Sequence, residues 1–107
     1  MIITTTETVE GYEIARTIGL VRGNVVRTKH IGTDFIAAFR NLVGGEIPEY
    51  TSMIAGAREQ ALARMIEEAE GVGANGIICV RFTTSMIMHK AAELLTFGTA
   101  VELRPKG

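Results

Sequence analysis

The stretch Gly73-Ala74-Asn75-Gly76-Ile77-Ile78 decides how this chain folds, because it lies between a charged amphipathic segment and an apolar one. Glycine and asparagine readily adopt the left-handed conformation that ends a helix, so Gly71 or Gly73 is predicted to end the preceding helix. Ile77 and Ile78 open an apolar run that is typical of a buried strand. The stretch therefore predicts a helix that stops abruptly and a central strand that follows it directly.

Two helices are predicted before this junction. Thr33 is a suitable N-cap with Asp34 at the positive end of the helix dipole, and Gly44-Gly45 would end this first, short helix. Pro48 is typical of a first helical position, and the second helix is predicted to run to about Gly71. One face of the second helix is apolar, comprising Ile54, Ala57, Ala61, Leu62, Met65, Ala69 and Val72.

The N-terminal part of the chain is predicted to form strands. Met1–Thr5 is a short strand and Tyr12–Arg27 a long one that is rich in β-branched residues. Gly19 and Gly23 interrupt the alternation of the long strand and indicate bulges or a bend. A bent strand of this length can serve two sheets or reach a neighbouring subunit.

Two further strands are predicted after the junction. Gly76–Phe82 is apolar on both faces apart from Arg81, which is typical of a central strand, and Leu94–Leu103 forms the next one. Lys90–Glu93 would turn the two into a hairpin. The sequence therefore predicts one small α+β domain over residues 1–107, with two helices packed on a mostly antiparallel sheet.

The composition favours self-association of this domain. Of the 107 residues, 47% are hydrophobic and only six are aromatic, and the mean hydropathy is +0.23. A domain this small buries a limited core on its own, so we expect apolar surface to be covered by other copies of the chain. A well-filled monomeric core is the alternative.

Charge and cysteine content argue against several classes of function. The net charge of −1 does not favour nucleic acid or acidic membranes as partners. A single cysteine fits a reducing compartment, and no apolar run approaches the ~18 residues that span a bilayer. The N-terminus has neither the basic nor the apolar part of a secretion signal. We therefore expect a cytoplasmic protein without a membrane partner.

A glycine pattern at the junction matches the dinucleotide-binding fingerprint. Residues 71–76 read G-x-G-x-x-G. In that fingerprint a strand precedes the glycines and a helix follows, so that the phosphates meet a helix N-terminus. Here the predicted order is helix and then strand, so we interpret the glycines as helix-ending residues.

Soft-metal chemistry is concentrated near one strand. The candidate metal ligands are Met86, Met88, His89 and Cys79, with His30 as a further imidazole. Thioether, thiolate and imidazole groups suit copper or zinc. If residues 79–89 form one strand, however, Cys79 and His89 lie about 33 Å apart at ~3.3 Å per residue. They could not bind one ion within a subunit; core packing is the alternative interpretation, and a site shared between subunits stays open.

The sequence contains no recognisable catalytic set. Two histidines, one cysteine and one aspartate offer no nucleophile, base and orienting group at a familiar spacing. The basic residues Arg22, Arg27, Lys29 and His30 lack interleaved aromatic residues, which argues against binding of nucleic acid. A non-enzymatic role is therefore expected.

Short segments spread over the whole chain carry a family resemblance. In chain order they are Thr4-Thr5-Thr6, Val9-Glu10-Gly11, Gly19-Leu20-Val21-Arg22-Gly23, Val43-Gly44-Gly45, Tyr50, Ala57-Arg58, Glu68-Ala69, Gly73-Ala74-Asn75 and Gly98-Thr99-Ala100-Val101. Together they resemble the YbjQ family of small uncharacterised proteins, a family labelled "putative heavy-metal-binding". The resemblance implies an α+β subunit, similar to dodecin-like folds, that assembles into a ring-shaped homopentamer. It implies no established activity.

The chain departs from the family pattern in two places. Cys79 falls where members of the family commonly carry glycine, and Gly76 where they commonly carry alanine. Residues 86–90 hold Met, Ile, Met, His and Lys, in a segment that is usually richer in Glu, Gly and Gln. The soft ligands are thus peculiar to this chain, and the resemblance lends them no support.

These observations lead to one main hypothesis and two alternatives. The main hypothesis is a cytoplasmic, non-enzymatic homo-oligomer, a ring-like binding or scaffold protein whose ligand the sequence does not reveal. The first alternative is a metal-binding protein that uses Met86, Met88, His89 or Cys79 for zinc or copper, between subunits. The second alternative, an enzyme with its site at subunit interfaces, has the least support.

Overall fold

The computed structural model describes residues 1–28, 48–88 and 91–107. Its elements, in chain order, are β1 (Ile2–Ile3), β2 (Tyr12–Thr28), α1 (Pro48–Gly71), β3 (Gly76–Met88) and β4 (Ala91–Pro105). Within these ranges one helix, α1, packs on a four-stranded sheet with the strand order β1-β3-β4-β2. The α+β class is confirmed. The first of the two predicted helices, Thr33–Gly45, lies outside the described residues, so the described fold has one helix on the sheet rather than two.

The sheet is mixed but mostly antiparallel. β1 runs parallel to β3, with Ile2 opposite Gly76, whereas β4 is antiparallel to both β3 and β2. The predicted turn at Lys90–Glu93 was placed too late in the chain, because β4 already begins at Ala91 and Met88 pairs with that residue. Ala91, Ala92 and Glu93, which were assigned to the turn, belong to the strand.

The two glycines of β2 serve different purposes. Gly19 has a φ of +144° and lies where the register with β4 shifts, so the predicted bulge at this position is confirmed. Gly23 lies in regular register opposite Thr96, so the bulge predicted there is wrong. A Cβ atom at Gly23 would overlap the carbonyl oxygen of Ala61 and lie 2.6 Å from the backbone nitrogen of Met65. Gly23 is therefore where α1 crosses the strand.

α1 begins and ends at the predicted residues, Pro48 and Gly71. The end is set by Gly73, whose φ of +82° lies in the left-handed region. The N–H of Gly73 donates to the carbonyl of Glu70 (3.1 Å) and that of Ala74 to the carbonyl of Ala69 (3.0 Å), which is the Schellman pattern. A strand follows directly, so the glycines end a helix and do not form a phosphate loop.

A ridge of three alanines and Met65 lets α1 lie close to the sheet. Ala57, Ala61, Met65 and Ala69 recur every fourth residue and are fully buried. They pack over β2 and β4 in two clusters that also contain Val21, Val25, Ile77, Val80, Ala92, Leu94 and Ala100. Val72, predicted to belong to this face, is exposed because it lies beyond the end of α1.

Among the described residues, one end of the opposite face of the sheet is covered. There Ile78, Val101 and Leu103 form a third cluster, against which Ile2, Val9, Tyr12 and Cys79 pack. The N-terminal segment thus covers the part of the sheet next to the helix end. The far halves of the long strands extend beyond it.

The chain is elongated. Its radius of gyration is 17.7 Å and its extents are 59 × 24 × 16 Å, whereas a compact domain of this length has a radius of gyration of about 13 Å. Within the described residues, no helix is both long and apolar enough to cross a membrane. The cytoplasmic location stays a prediction.

Candidate functional site

An open cleft lies between α1 and β3. It measures about 420 Å³, within the range of small-molecule sites. The lining side chains are Arg58, Glu59 and Leu62 from the helix and Phe82 and Thr84 from the strand. The cleft is the candidate binding site of the described part of the chain.

The register of the sheet explains why these residues meet. Phe82 pairs with Thr96 and Thr84 with Leu94, and paired residues of antiparallel strands share a face. Thr96 and Leu94 are buried on the helix side, so Phe82 and Thr84 lie on that side too. Because the buried ridge of α1 rests mainly on β2 and β4, β3 projects beyond the helix and leaves a cleft beside it.

The cleft combines opposite charges with an apolar wall. Arg58 offers a cation, Glu59 a carboxylate and Thr84 a hydroxyl, while Leu62 and Phe82 are apolar. Phe82 remains 47% exposed, so an apolar surface is available to a ligand or a partner. The five side chains can orient an amphipathic molecule.

Among the described residues, the structure does not bring the predicted metal ligands Cys79 and Met86 together within one chain. Cys79 is half-buried at a bulge of β3, and Met86 lies seven residues further along the same strand with 61% of its surface exposed. At ~3.3 Å per residue they are about 23 Å apart, whereas zinc–sulfur bonds measure about 2.3 Å. Met88 is the last residue of β3, and His89 and His30 lie outside the described residues.

Across the three described ranges, no three His, Cys, Asp or Glu side chains converge to a position where they could hold a metal ion. A site for zinc or copper completed by a second subunit stays a prediction. Neither Cys79 nor Met86 is placed to bind an ion with the other.

Cys79 is notable for its backbone conformation. Its φ is +56°, and it is the one described residue other than glycine with positive φ. It lies at the register shift between Ile78 and Arg81, and its N–H donates to the carbonyl of Thr6 (3.0 Å). A bulge residue in the left-handed region favours glycine. The glycine that the family resemblance leads us to expect here therefore has a structural reason.

Sequence reasoning missed the residues that build the cleft. Arg58 and Glu59 lie outside the apolar face predicted for this helix. Helical periodicity gives the direction of a side chain but not which strand lies beside it. Asn75 was predicted as a turn residue only. Its amide Nδ2 donates to the carbonyl of Leu103 (2.9 Å), and its Oδ1 accepts from the N–H of Leu103 (2.6 Å). No sequence pattern signals such a bridge.

The comparisons with known proteins agree with the resemblance. A family model described as "Putative heavy-metal-binding", that of YbjQ, matches residues 1–104. A UPF0145 protein of Archaeoglobus fulgidus is 58% identical over 104 residues, covering 97% of this chain and 96% of its own. One from Thermosipho africanus is 53% identical over 104 residues, with the same coverage of both chains.

A solved structure supports the fold. It is a protein of unknown function from Pediococcus pentosaceus, assigned to the DUF74 family. The TM-score is 0.61 with 17% sequence identity, and the match covers 97% of this chain and 98% of the other. At this identity the likeness concerns the fold alone.

Proposed function

Since the chain belongs to the YbjQ family, we propose that it is a homo-oligomeric, ring-shaped binding or scaffold protein without a catalytic role of its own. The number of subunits is proposed to be five, as the family resemblance implies. The cleft between α1 and β3 is the proposed binding site.

The observation that carries this proposal is the excess surface of the isolated subunit. Its accessible surface is 6977 Å², whereas a compact monomer of 11.6 kDa exposes about 5,800 Å². The excess accessible surface, roughly 1,100 Å², is comparable to the area that each partner buries in a stable interface, about 800 Å². Binding of other chains would bury the excess accessible surface of such an elongated subunit.

The exposed apolar residues support the same proposal. Leu20 and Val26 project from β2, 67% and 51% exposed, and Ile87 projects from β3, 51% exposed. These residues and Phe82 lie on the two strands that border the far part of the described sheet. Apolar residues gathered on strand borders mark interaction surfaces more often than scattered ones do.

Native mass spectrometry tests the proposal directly. We expect a single closed species with five times the subunit mass of 11.6 kDa. The species should persist at micromolar concentration, and size-exclusion chromatography with light scattering should give the same mass. A stable monomer at that concentration would refute the proposal.

A metal-binding protein with its site between subunits is the second candidate. The family description and the exposed thioether of Met86 favour it. Thioether and thiolate groups would select Cu(I) or zinc. Elemental analysis of protein purified without chelator decides: a scaffold should contain far less than one metal ion per subunit. Stoichiometric metal that is lost in Met86→Leu but retained in Met53→Leu would favour the second candidate.

A further inference from the structure

The cleft between α1 and β3 has an apolar end. Phe82 pairs with Thr96 of β4, and the hydroxyl of Thr96 donates to the sulfur of Met65 in α1 (3.8 Å). This part of the sheet therefore lies under the turn of the helix that contains Met65. Leu62 precedes Met65 by about one turn and lines the cleft together with Phe82. The two side chains form an apolar pair at this level of the cleft.

The other end of the cleft is polar. Thr84 pairs with Leu94 of β4, and Leu94 packs in one buried cluster with Ala57 of α1. Arg58 and Glu59 directly follow Ala57, so they line the cleft at the level of Thr84. The cleft thus presents a guanidinium, a carboxylate and a hydroxyl at one end and the apolar pair at the other.

Both charges of the polar end are available to a ligand. Arg58 and Glu59 are exposed, and neither side chain forms a hydrogen bond or an ion pair with another described residue. Adjacent residues of a helix do not face each other, so the two charges are not placed to neutralise one another. By contrast, Arg64 of the same helix donates to the carbonyl of Asn24 (2.6 Å).

We propose that this cleft binds a free α-amino acid with an apolar side chain. The inference rests on the proposed function, in which the cleft is the binding site, and adds the class of ligand. The carboxylate of the amino acid accepts hydrogen bonds from the guanidinium of Arg58 and the hydroxyl of Thr84, and its ammonium group donates to Glu59. Its side chain packs against Leu62 and Phe82.

The charges of the cleft favour this class of ligand over simpler ones. An α-amino acid carries a carboxylate and an ammonium group on one carbon atom, and adjacent residues of α1 offer a counterpart for each. A simple carboxylic acid would leave Glu59 unpaired beside a second negative charge, and a simple amine would leave Arg58 unpaired. Hydrogen bonds between charged groups are about twice as strong as neutral ones, so satisfying both charges matters most. A polar amino acid would leave the exposed ring of Phe82 uncovered.

Isothermal titration calorimetry of the wild-type protein with L-phenylalanine tests the inference. We expect saturable binding of one ligand per chain at millimolar concentration or below. Three probes each lack one recognised group: phenylpropanoate the ammonium group, phenethylamine the carboxylate, and L-serine the apolar side chain. Each should bind about tenfold more weakly or worse. Absence of saturable binding of L-phenylalanine, or equal affinity for the three probes, would overturn the inference.

Two substitutions assign the binding to the cleft. Arg58→Gln should lower the affinity for L-phenylalanine about tenfold or more without weakening the binding of phenethylamine, which has no carboxylate. Glu59→Gln should likewise lower the affinity for L-phenylalanine without weakening the binding of phenylpropanoate, which has no ammonium group. A general loss of structure would weaken every ligand alike, and circular dichroism checks the fold.

Glu67→Gln is the matched control, because Glu67 is an exposed glutamate of α1 that does not line the cleft. This variant should bind L-phenylalanine as the wild type does. If Arg58→Gln and Glu59→Gln also bind it as the wild type does, the ligand lies elsewhere and the inference is wrong. The probes give an answer with the wild type even if a variant fails to fold.

Calorimetry and native mass spectrometry together separate this inference from the proposed function. A closed oligomer that does not bind L-phenylalanine would overturn the inference, while the proposed assembly stands. A monomer that binds L-phenylalanine through Arg58 and Glu59 would support the inference and refute the proposed assembly.

Discussion

At the scale of one residue, Cys79 occupies a left-handed backbone conformation that favours glycine. A non-glycine residue in the left-handed region costs about 1–2 kcal/mol, and Cys79 adopts a φ of +56°. Both Cys79→Gly and Cys79→Ala remove the sulfur atom. The glycine variant relieves the backbone strain, whereas the alanine variant retains it. We expect the glycine variant to exceed the alanine variant by about 1 kcal/mol in free energy of unfolding. Urea denaturation of both variants at one protein concentration measures the difference.

The alanine variant is the control because both substitutions remove the contacts that the thiol makes with the Ile78 cluster. In an ordinary strand position alanine would be the more stable of the two, since glycine loses more conformational freedom on folding. An alanine variant as stable as the glycine variant would therefore contradict the strain argument. The comparison isolates the backbone at this bulge.

At the scale of secondary-structure elements, the packing of α1 on the sheet depends on Gly23. A side chain there would meet backbone atoms of Ala61 and Met65, which cannot move without shifting the helix. We expect Gly23→Ala to lower the free energy of unfolding by about 1–3 kcal/mol. Gly56→Ala is the matched control, because Gly56 lies inside α1 with nothing within 4 Å of the added Cβ atom. It should raise stability by up to about 1 kcal/mol. Destabilisation by both substitutions, in thermal or urea unfolding, would argue against the close approach at Gly23.

Elements that local chemistry specifies were predictable, and elements that distant contacts specify were not. Pro48 and Gly73 fix the two ends of α1 through their own backbone preferences, so the sequence located the helix correctly. The role of Gly23 depends on a helix that follows much later in the chain, and an interrupted alternation alone suggested a bulge. The cleft was missed for the same reason. Arg58 belongs to it only because β3 extends beyond the helix.

At the scale of the whole molecule, the buried core covers only part of the length of the chain. The buried clusters lie under α1 and under the N-terminal segment, whereas the strands extend over much of the 59 Å length of the subunit. Part of the stability of the folded subunit should therefore come from its neighbours. In the proposed oligomer, association and folding would be linked, and the melting temperature would depend on concentration.

This linkage gives the last prediction. Melting followed by circular dichroism over about a hundredfold range of protein concentration should show a midpoint that rises with concentration, because binding of other subunits stabilises only the folded chain. If the wild-type midpoint is the same at every concentration, the subunit folds to its full stability alone. The exposed strands would then contribute nothing through assembly.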